Sequence, residues 1–288
     1  MDSELQRQAV RSQAPHEADY LRGLEAYAFR RFDDKKRLSA INTRDADAFI
    51  AWPLDPVAQG RQLAPRTVER IVVPVRLCFA AAVRHGLVAT NPFDSAVVPC
   101  PDGIEEDVVK TITPKQLRAV LAASEPEWRL FFETLASTGA RWSEAIAWRR
   151  RDLDEARSCL KVRRSLYEGE PQAPKTRYSR RDIPIGADLL ARLVAHTSAL
   201  GPDDLIFAAG NGAPLRAENV RRRQLKPIAK QIGVPWIGFH TFRHTAASLL
   251  FAGGANVVRV QRFLGHHSPA FTLDTYIHLL DDDLASRS

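Results

Sequence analysis

Six side chains that can act on a phosphate group lie between residues 141 and 276 of the sequence. In chain order they are Arg141, Lys175, His240, Arg243, His266 and Tyr276. Guanidinium groups form paired hydrogen bonds with anionic oxygens, and a phenol can attack phosphorus once its proton has been removed. Two arginines, an amine, two imidazoles and a later tyrosine are therefore suited to phosphoryl transfer through a phenolic nucleophile.

Two members of this set follow a glycine that is expected to end a helix. Arg141 comes two residues after Gly139, and Glu144 lies one helical turn further, where its carboxylate can hold the guanidinium. His266 comes directly after Gly265. Taken alone, Arg141 with Glu144 could equally be an ordinary helix cap with an ion pair.

His240 and Arg243 are three residues apart, so they share one face at the start of a helix. A metal site is a competing interpretation, because His240 and His244 are four residues apart. The zinc-protease pattern requires Glu directly after the first His, where this chain has Thr241. The positive charge of Arg243 would also repel a cation, so we expect no metal and no cofactor.

The two remaining members are ambiguous when taken singly. Lys175 falls in a basic turn of a predicted hairpin, where a solvated lysine is the simpler explanation. Tyr276 lies close to the end of the chain, where a packed or surface aromatic is the ordinary interpretation. Only the combination of all six indicates chemistry.

The charge of the chain is distributed unevenly. Residues 1–112 hold 15 Lys and Arg against 16 Asp and Glu, whereas residues 113–288 hold 26 against 18. The net charge of +7 thus arises in the second part of the chain. Such an excess suggests a polyanionic partner, most plausibly nucleic acid, although a basic surface that only aids solubility would look the same.

Composition excludes several other classes of protein. The chain has 288 residues, enough for two domains, and 45% of them are hydrophobic. The three cysteines show neither paired nor zinc-ligand spacing, so we expect reduced thiols. The sequence contains no apolar run long enough to span a bilayer and no apolar stretch typical of a secretory signal, which predicts a cytoplasmic protein.

The first part of the chain is predicted to be entirely helical. Helices are expected at about 17–32, after an N-cap at Asp45, and at about 65–85, where Pro74 should kink the chain. Gly86 is expected to cap the last of these in a left-handed conformation.

The second part is predicted to be mainly helical with one small antiparallel sheet. Thr113 and Gln116 should form a capping box, and residues 158–185 read as strands. The expected helices are 114–121, 126–137, 143–150, 187–196, 217–232, 241–252, 256–263 and 268–280. Together these patterns predict a tail at 1–16, a helical domain at 17–96, a linker at 97–112 and a second domain at 113–288.

The order and context of these pieces resemble the tyrosine recombinase, or phage integrase, family of site-specific DNA recombinases. The matching motifs are Thr138-Gly139-Ala140-Arg141 with Glu144, Lys175 in its hairpin, His240-x-x-Arg243-His244-Thr245, Leu264-Gly265-His266 and Thr272-x-x-x-Tyr276-x-His278. The resemblance covers about residues 113–280 in full, and it is weaker over residues 17–93, which look like the helical core-binding (SAM-like) domain of the family.

The resemblance implies an enzyme that breaks and rejoins double-stranded DNA through a 3′-phosphotyrosine. It also implies a two-domain, C-shaped clamp that acts as a homo-tetramer on two duplexes, with a possible accessory directionality factor. We expect a bacterial or phage-encoded protein that is cytoplasmic and associated with the nucleoid. The short segment after Tyr276 leaves open how subunits exchange it.

Roles for the six residues combine this resemblance with chemistry. Arg141 and Arg243 would clamp the phosphate, and His240 is the predicted proton acceptor for Tyr276. His266 would bind the phosphate, and Lys175 matches the proton donor of the family. Predicted DNA contacts are the basic residues Arg66, Arg70, Arg84, Arg221, Arg222 and Lys226.

Three other functions stay open on the sequence alone. A type IB topoisomerase uses a similar set of residues as a monomer. A non-catalytic DNA-binding protein on the same fold would need no intact site. A metal-dependent nuclease is the third.

Overall fold

The structure is a computed structural model that describes residues 20–32, 36–55, 63–99, 109–167, 169–172 and 177–285. The side chains of Arg177 and of residues 278–285 fall outside the description. The chain divides into two compact units, residues 1–106 and 107–288. The tail predicted for residues 1–16, most of the predicted linker and Lys175 lie outside the described residues.

The first unit is helical, as the sequence predicts. Helix α1 covers residues 20–31 and includes a π-helical segment, Leu24–Ala28. Helix α2 is Thr43–Leu54 and helix α3 is Pro65–Arg84. The α3 helix is continuous through Pro74, and Gly86 after it has φ +70°, which confirms the left-handed cap.

The start of α2 corrects one sequence prediction. The N-cap is Asn42 and not Asp45, because the Asn42 side chain accepts a hydrogen bond from the Asp45 backbone N–H at 3.2 Å. The Asp45 carboxylate accepts the backbone N–H of Asn42 in return at 3.0 Å. Asn and Asp are both favoured as N-caps. Asn42 takes this position because it can form a capping box with Asp45, three residues later.

Aromatic rings hold the first unit together. Phe93, which is fully buried, lies with its centroid 5.9 Å from Phe49 of α2 and 5.5 Å from Phe79 of α3. Phe32 stacks on Phe49 at 5.3 Å. This cluster leaves the opposite face of α3 in solvent.

The second unit begins with two helices whose ends the sequence predicts. Helix α4, Pro114–Ala123, starts at the capping box of Thr113 and Gln116, which is confirmed. Helix α5, Pro126–Thr138, ends at Gly139 with φ +58°, the left-handed conformation expected there. The helix predicted for 143–150 is shorter than expected: α6 is Trp142–Ala145, and a 3-10 turn follows at Arg150–Asp152.

Two small antiparallel sheets replace the single sheet predicted. Strands β1 (Leu153–Asp154), β2 (Cys159–Val162) and β5 (Arg181–Pro184) form one in the order β1-β2-β5. Strands β3 (Ser165–Tyr167) and β4 (Glu170–Gln172) form a separate hairpin. The register pairs Leu160 with Ile183, both fully buried, so the three-stranded sheet packs one face on the core.

The remaining helices complete the unit. They are α7 (Ala187–His196), α8 (residues 217–231, with a π-helical segment Arg221–Leu225), α9 (Phe239–Ala252), α10 (Val257–Leu264) and α11 (Pro269–Ala285). Helix α9 begins two residues earlier than predicted, so His240 lies inside it, and α11 extends beyond residue 280. Among the described helices, none is both long and apolar enough to cross a membrane.

Helices α5 and α9 form the centre of the second unit. The rings of Phe132 and Phe242 stack in parallel with centroids 5.5 Å apart and an interplanar angle of 5°. Both rings are fully buried. Because Arg243 follows Phe242, this contact fixes the position of the arginine against the end of α5.

Gly139 lies where this core leaves no room for a side chain. A Cβ built there would lie 2.6 Å from Leu264 Cδ2 and 3.2 Å from Ala246 Cβ, on a backbone with φ +58°. Gly254 has φ +80° with nothing within 4 Å of its Cβ position. A substitution at Gly254 therefore has the cost of the left-handed backbone without the cost of a clash.

We expect Gly139→Ala to lower the free energy of unfolding more than Gly254→Ala. Both changes place a side chain in the left-handed region, at a cost of about 1–2 kcal/mol. The buried clash at Gly139 should add about 1–3 kcal/mol. Urea unfolding followed by tryptophan fluorescence measures the difference, and equal losses for the two variants would contradict the packing described here.

Candidate active site

Arg243 joins the C-terminal ends of two helices. Its Nη1 donates to the carbonyl oxygen of Gly139, after α5, at 2.7 Å, and its Nη2 donates to the carbonyl of Leu264, at the end of α10, at 2.8 Å. The side chain is 2% exposed. Helix C-termini carry partial negative charge, so a buried guanidinium is well placed between two of them.

The same two helix ends deliver the next two site residues. Arg141 comes two residues after Gly139, and His266 comes two residues after Leu264, past Gly265 with φ +70°. The buried Arg243 therefore fixes the turns that present Arg141 and His266.

Glu144 is shared by two arginines. Its carboxylate accepts from Arg141 Nη1 at 2.9 Å, from Arg181 Nη1 at 3.1 Å and from Arg181 Nη2 at 2.9 Å. The Nε of Arg181 donates to the carbonyl of Phe263 at 2.8 Å. Glu144 and Arg181 are buried, whereas the Arg141 side chain is 34% exposed. The carboxylate thus anchors Arg141 from the protein side and leaves part of its guanidinium accessible.

Opposing effects set the ionisation of this cluster. Burial alone would raise the pKa of Glu144, but the charges and hydrogen bonds of Arg181 and Arg141 outweigh it and lower the pKa to about 2. Burial and the charge of Arg141 lower the pKa of Arg243 to about 9. At neutral pH Glu144 and Arg243 are therefore both charged.

Tyr276 on α11 is fully buried beside these groups. Its ring packs in an apolar cluster with Phe251 at 6.0 Å and lies nearly parallel to the His266 ring at 6.3 Å. The hydroxyl lies 2.8 Å from Nδ1 of His244 on α9. The phenol is therefore held between α9 and the turn that carries His266.

The environment keeps the phenol and two of the imidazoles neutral at pH 7. Burial raises the pKa of Tyr276 to about 12, against the opposing charges of Arg243 and Arg141. Burial and the same arginines lower the pKa of His266 to about 3. His240 is exposed at the rim of the site, yet partial desolvation of its ring and the charges of Arg243 and Arg141 lower its pKa as well. Since the charges of Arg141 and Arg243 act on all three residues, these five side chains lie close together.

Thr272 orients His266 from behind. Its Oγ1 lies 2.8 Å from Nδ1 of His266, and it is one turn before Tyr276 on α11. Both residues of this pair are buried. The hydrogen bond fixes the ring plane of His266 and so determines where its Nε2 points.

A cavity of 420 Å³ borders the part of the site that holds Arg141 and His266. Its lining includes Arg141, Glu144, Arg164, His266 and Phe271. A phosphate group placed there would meet a guanidinium and an imidazole. The described residues contain no group of three His, Cys, Asp or Glu side chains that could hold a metal ion.

The predicted DNA contacts are all exposed in the structure. In the first unit they lie on α3, and in the second unit they lie on α8; they are Arg66, Arg70, Arg84, Arg221, Arg222 and Lys226. Arg221 also lies 3.6 Å from the Glu218 carboxylate. Exposure agrees with a role in binding DNA, which stays a prediction for each residue.

The sequence analysis gave no role to three residues of the site, although His244 and Thr272 stand in the matched motifs. Arg181 is two residues before the buried Ile183 on β5, so its inward direction could have been predicted from the strand period. His244 lies one helical turn after His240, which places both on one face. Thr272 bears the same relation to Tyr276.

Comparison with known sequences identifies the family. Residues 110–283, which include every described residue of the site, match the sequence profile of the phage integrase family. The chain belongs to this family of tyrosine recombinases.

Individual relatives agree with this assignment. Tyrosine recombinase XerC of Mycobacterium sp. (strain KMS) is 31% identical over 249 residues, covering 80% of this chain and 76% of the relative. A tyrosine recombinase XerC-like protein of Caldanaerobacter subterraneus subsp. tengcongensis is 25% identical over 246 residues. That alignment covers 75% of this chain and spans 63% of the relative's length.

Solved structures share the fold of this family member. The Tn1549 transposon integrase in complex with a circular intermediate DNA superposes with a TM-score of 0.76 at 20% identity, covering 95% of this chain and 94% of that one. A lambda integrase tetramer bound to a Holliday junction gives a TM-score of 0.68 at 20% identity, covering 92% and 75%. Both confirm a mainly helical fold with small antiparallel sheets.

We expect the buried Glu144 carboxylate to give this recombinase a characteristic acid sensitivity. Because folding lowers its pKa from 4.5 to about 2, its contribution is complete above the unfolded value and is lost as the pH falls towards 2. The shift corresponds to about 3 kcal/mol. Glu144→Gln should lose this pH dependence and should be less stable at pH 7, because Arg181 is left buried without its partner.

Denaturant unfolding between pH 7 and pH 2 measures this effect. Glu127→Gln, at an exposed position of α5, is the matched control and should change stability by less than about 0.5 kcal/mol. An acid dependence of Glu144→Gln equal to that of the wild-type chain would contradict the assignment.

Proposed function

We propose that the chain cleaves and rejoins DNA at specific sites, with Tyr276 as the nucleophile. The single observation that carries this proposal is the Tyr276 hydroxyl, buried between imidazoles and under the charges of Arg141 and Arg243. The Oη–P bond forms as the bond from phosphorus to the 5′ oxygen breaks, which leaves a 3′-phosphotyrosine. Attack by a different 5′-hydroxyl reverses these bonds and exchanges strands without ATP.

Arg141 and Arg243 have different roles in binding the phosphate. Attack builds negative charge on the non-bridging oxygens, and guanidinium donors fixed in advance stabilise that charge. Arg243 uses two of its N–H groups on the carbonyls of Gly139 and Leu264, which holds it rigidly. Arg141 is anchored by Glu144 on one side and offers its exposed part to the phosphate. His266, oriented by Thr272, would complete the contacts.

Two proton transfers accompany cleavage. The phenolic proton passes to an imidazole of α9, for which the sequence analysis predicts His240. The departing 5′ oxygen takes a proton from Lys175, whose role rests on the resemblance to the family. Because burial raises the pKa of Tyr276, the reaction needs the acceptor to be in place before the attack.

One face of α3 is suited to follow the DNA backbone. Arg66 and Arg84 are 18 residues apart, about five helical turns, and Arg70 lies one turn after Arg66. All three side chains are exposed on this common face. This alignment explains how a unit with almost no net charge could bind phosphates.

The proposed assembly rests on the fold that this chain shares with lambda integrase. The lambda integrase relative was solved as a tetramer on a Holliday junction, and the fold is shared. We propose that this chain also acts as a homo-tetramer on two DNA duplexes, each subunit closing its two units around DNA as a C-shaped clamp. It would act on nucleoid DNA in the cytoplasm, with a directionality factor as a possible partner.

Tyr276→Phe should abolish covalent capture of DNA. The substrate is a nicked duplex carrying the recombination site, from which the short 5′-hydroxyl strand diffuses after cleavage. Wild-type protein should give an adduct that survives denaturing electrophoresis, and Tyr276→Phe should give none while still shifting the duplex in a native gel. Tyr27→Phe, in the first unit, is the matched control and should form adduct normally.

The same assay separates the other functions. An adduct with Tyr276→Phe would reject the nucleophile. Binding without adduct by the wild-type chain would indicate a non-catalytic DNA-binding protein, and relaxation of plasmids without a preferred site would indicate a topoisomerase.

Arg70→Ala should weaken binding to every DNA sequence by a similar factor. Loss of one phosphate contact should reduce the slope of log K against log salt by about 1. Arg44→Ala, an exposed arginine on α2, is the control and should leave the slope unchanged. Titrations at several salt concentrations measure the slopes, and equal slopes for wild type and Arg70→Ala would remove Arg70 from the interface.

A further inference from the structure

The residue that contacts the nucleophile is His244. Its Nδ1 lies 2.8 Å from the Tyr276 hydroxyl, and its ring centroid is 5.6 Å from that of the tyrosine. His244 is half-buried on α9, directly after Arg243 and one turn after His240. His240 is exposed, with its ring centroid 5.4 Å from that of His244.

The phenol needs a proton acceptor close by. Its pKa is raised to about 12 by burial, so the hydroxyl keeps its proton at neutral pH. A general base must lie within about 2.6–3.2 Å of the atom that carries the proton. His244 Nδ1 meets this requirement without any movement of the helix.

We propose that His244, and not His240, accepts the phenolic proton of Tyr276 during cleavage, an inference that rests on the proposed function. In the resting site the phenol donates to Nδ1, and the ring hydrogen of His244 is on Nε2. As the Oη–P bond forms, the Oη–H bond breaks and an Nδ1–H bond forms. The bond to the 5′ oxygen breaks, and that oxygen takes its proton from Lys175. Rejoining returns the proton from His244 to the phenol.

The surrounding charges make this transfer depend on bound DNA. Among the residues that the structure describes, Arg243 and His240 on α9, Arg141 at the start of α6 and His266 before α11 face the His244–Tyr276 pair. A protonated His244 beside two arginines is unfavourable until an anion lies among them. The scissile phosphate supplies that anion, so the phenolate forms only when its target is present.

The test is single-turnover cleavage of the nicked duplex by the full chain at pH 6 to 10. Two substrates are compared, one with an ordinary 5′ oxygen and one with sulfur at that position, since a thiolate leaves without needing a proton. His244→Asn keeps an acceptor near the position of Nδ1 but cannot take the proton. His244→Phe removes the acceptor and keeps a ring. His240→Asn tests the competing base, and Tyr27→Phe in the first unit is the control.

We expect His244→Asn to slow cleavage on the order of 10²-fold or more at pH 7. The defect should shrink as the pH rises towards the pKa of Tyr276, and it should persist with the sulfur substrate. Lys175→Ala should instead recover with sulfur. His244→Phe should be at least as slow as His244→Asn.

Several results would overturn the proposal. One is a His244→Asn variant that cleaves at the wild-type rate while His244→Phe cleaves slowly. His244 would then only position the phenol. Another is a pH-dependent loss confined to His240→Asn, which would make His240 the base. Absence of adduct with wild-type protein would instead refute the proposed function itself.

A second measurement does not depend on how the variants fold. Nitrogen-15 spectra of histidine-labelled, DNA-free wild-type chain report which ring nitrogen of His244 carries hydrogen, with His244→Phe used only to assign the signal. We expect hydrogen on Nε2 and an unprotonated Nδ1 at pH 7. A hydrogen on Nδ1 would rule out His244 as the acceptor.

Discussion

The site depends on the hydrogen bonds that the buried guanidinium of Arg243 donates. The guanidinium connects the ends of α5 and α10 by hydrogen bonds to two main-chain carbonyls, and it is almost inaccessible to solvent. Because each helix end is followed by a turn that carries a functional side chain, one buried cation determines the separation of Arg141 and His266. The absence of a Cβ at Gly139 lets α10 approach closely enough for this contact.

Burying positive charge at one place requires compensation, and the chain supplies it in two forms. Arg243 is compensated by the partial charges of helix ends, and Arg141 and Arg181 by the shared carboxylate of Glu144. The first form fixes a charge that does not move, while the second leaves Arg141 partly accessible. The three arginines outnumber the one carboxylate, so the site carries a net positive charge that a phosphodiester can neutralise.

The proposed nucleophile, Tyr276, is held in its neutral form. Burial keeps the phenol of Tyr276 protonated, while the arginines act in the opposite direction. The imidazole of His266 beside it is also kept neutral, because burial and the arginines lower its pKa to about 3. Desolvation and positive charge act on the phenol in opposite directions. Under the proposed mechanism, Tyr276 therefore becomes reactive only when a DNA phosphate binds.

Local sequence determined much of this protein. The capping box at Thr113, the left-handed Gly139 and Gly86, and the helices between them follow from interactions within a few residues, so patterns along the chain suffice to predict them. The set of six candidate residues and the family also follow from the sequence. At the start of α2 the N-cap is Asn42, where the sequence predicted Asp45, and the two residues together form a capping box.

Only the tertiary structure decided which side chains meet. Glu144 pairs with Arg181 across 37 residues, and His244 reaches Tyr276 across 32. Such contacts depend on how α9, α11 and β5 pack, and a residue's spacing along its own helix shows only the face on which it lies. The sequence placed His240 and His244 on one face of α9, and the packing of α11 brought the phenol to His244.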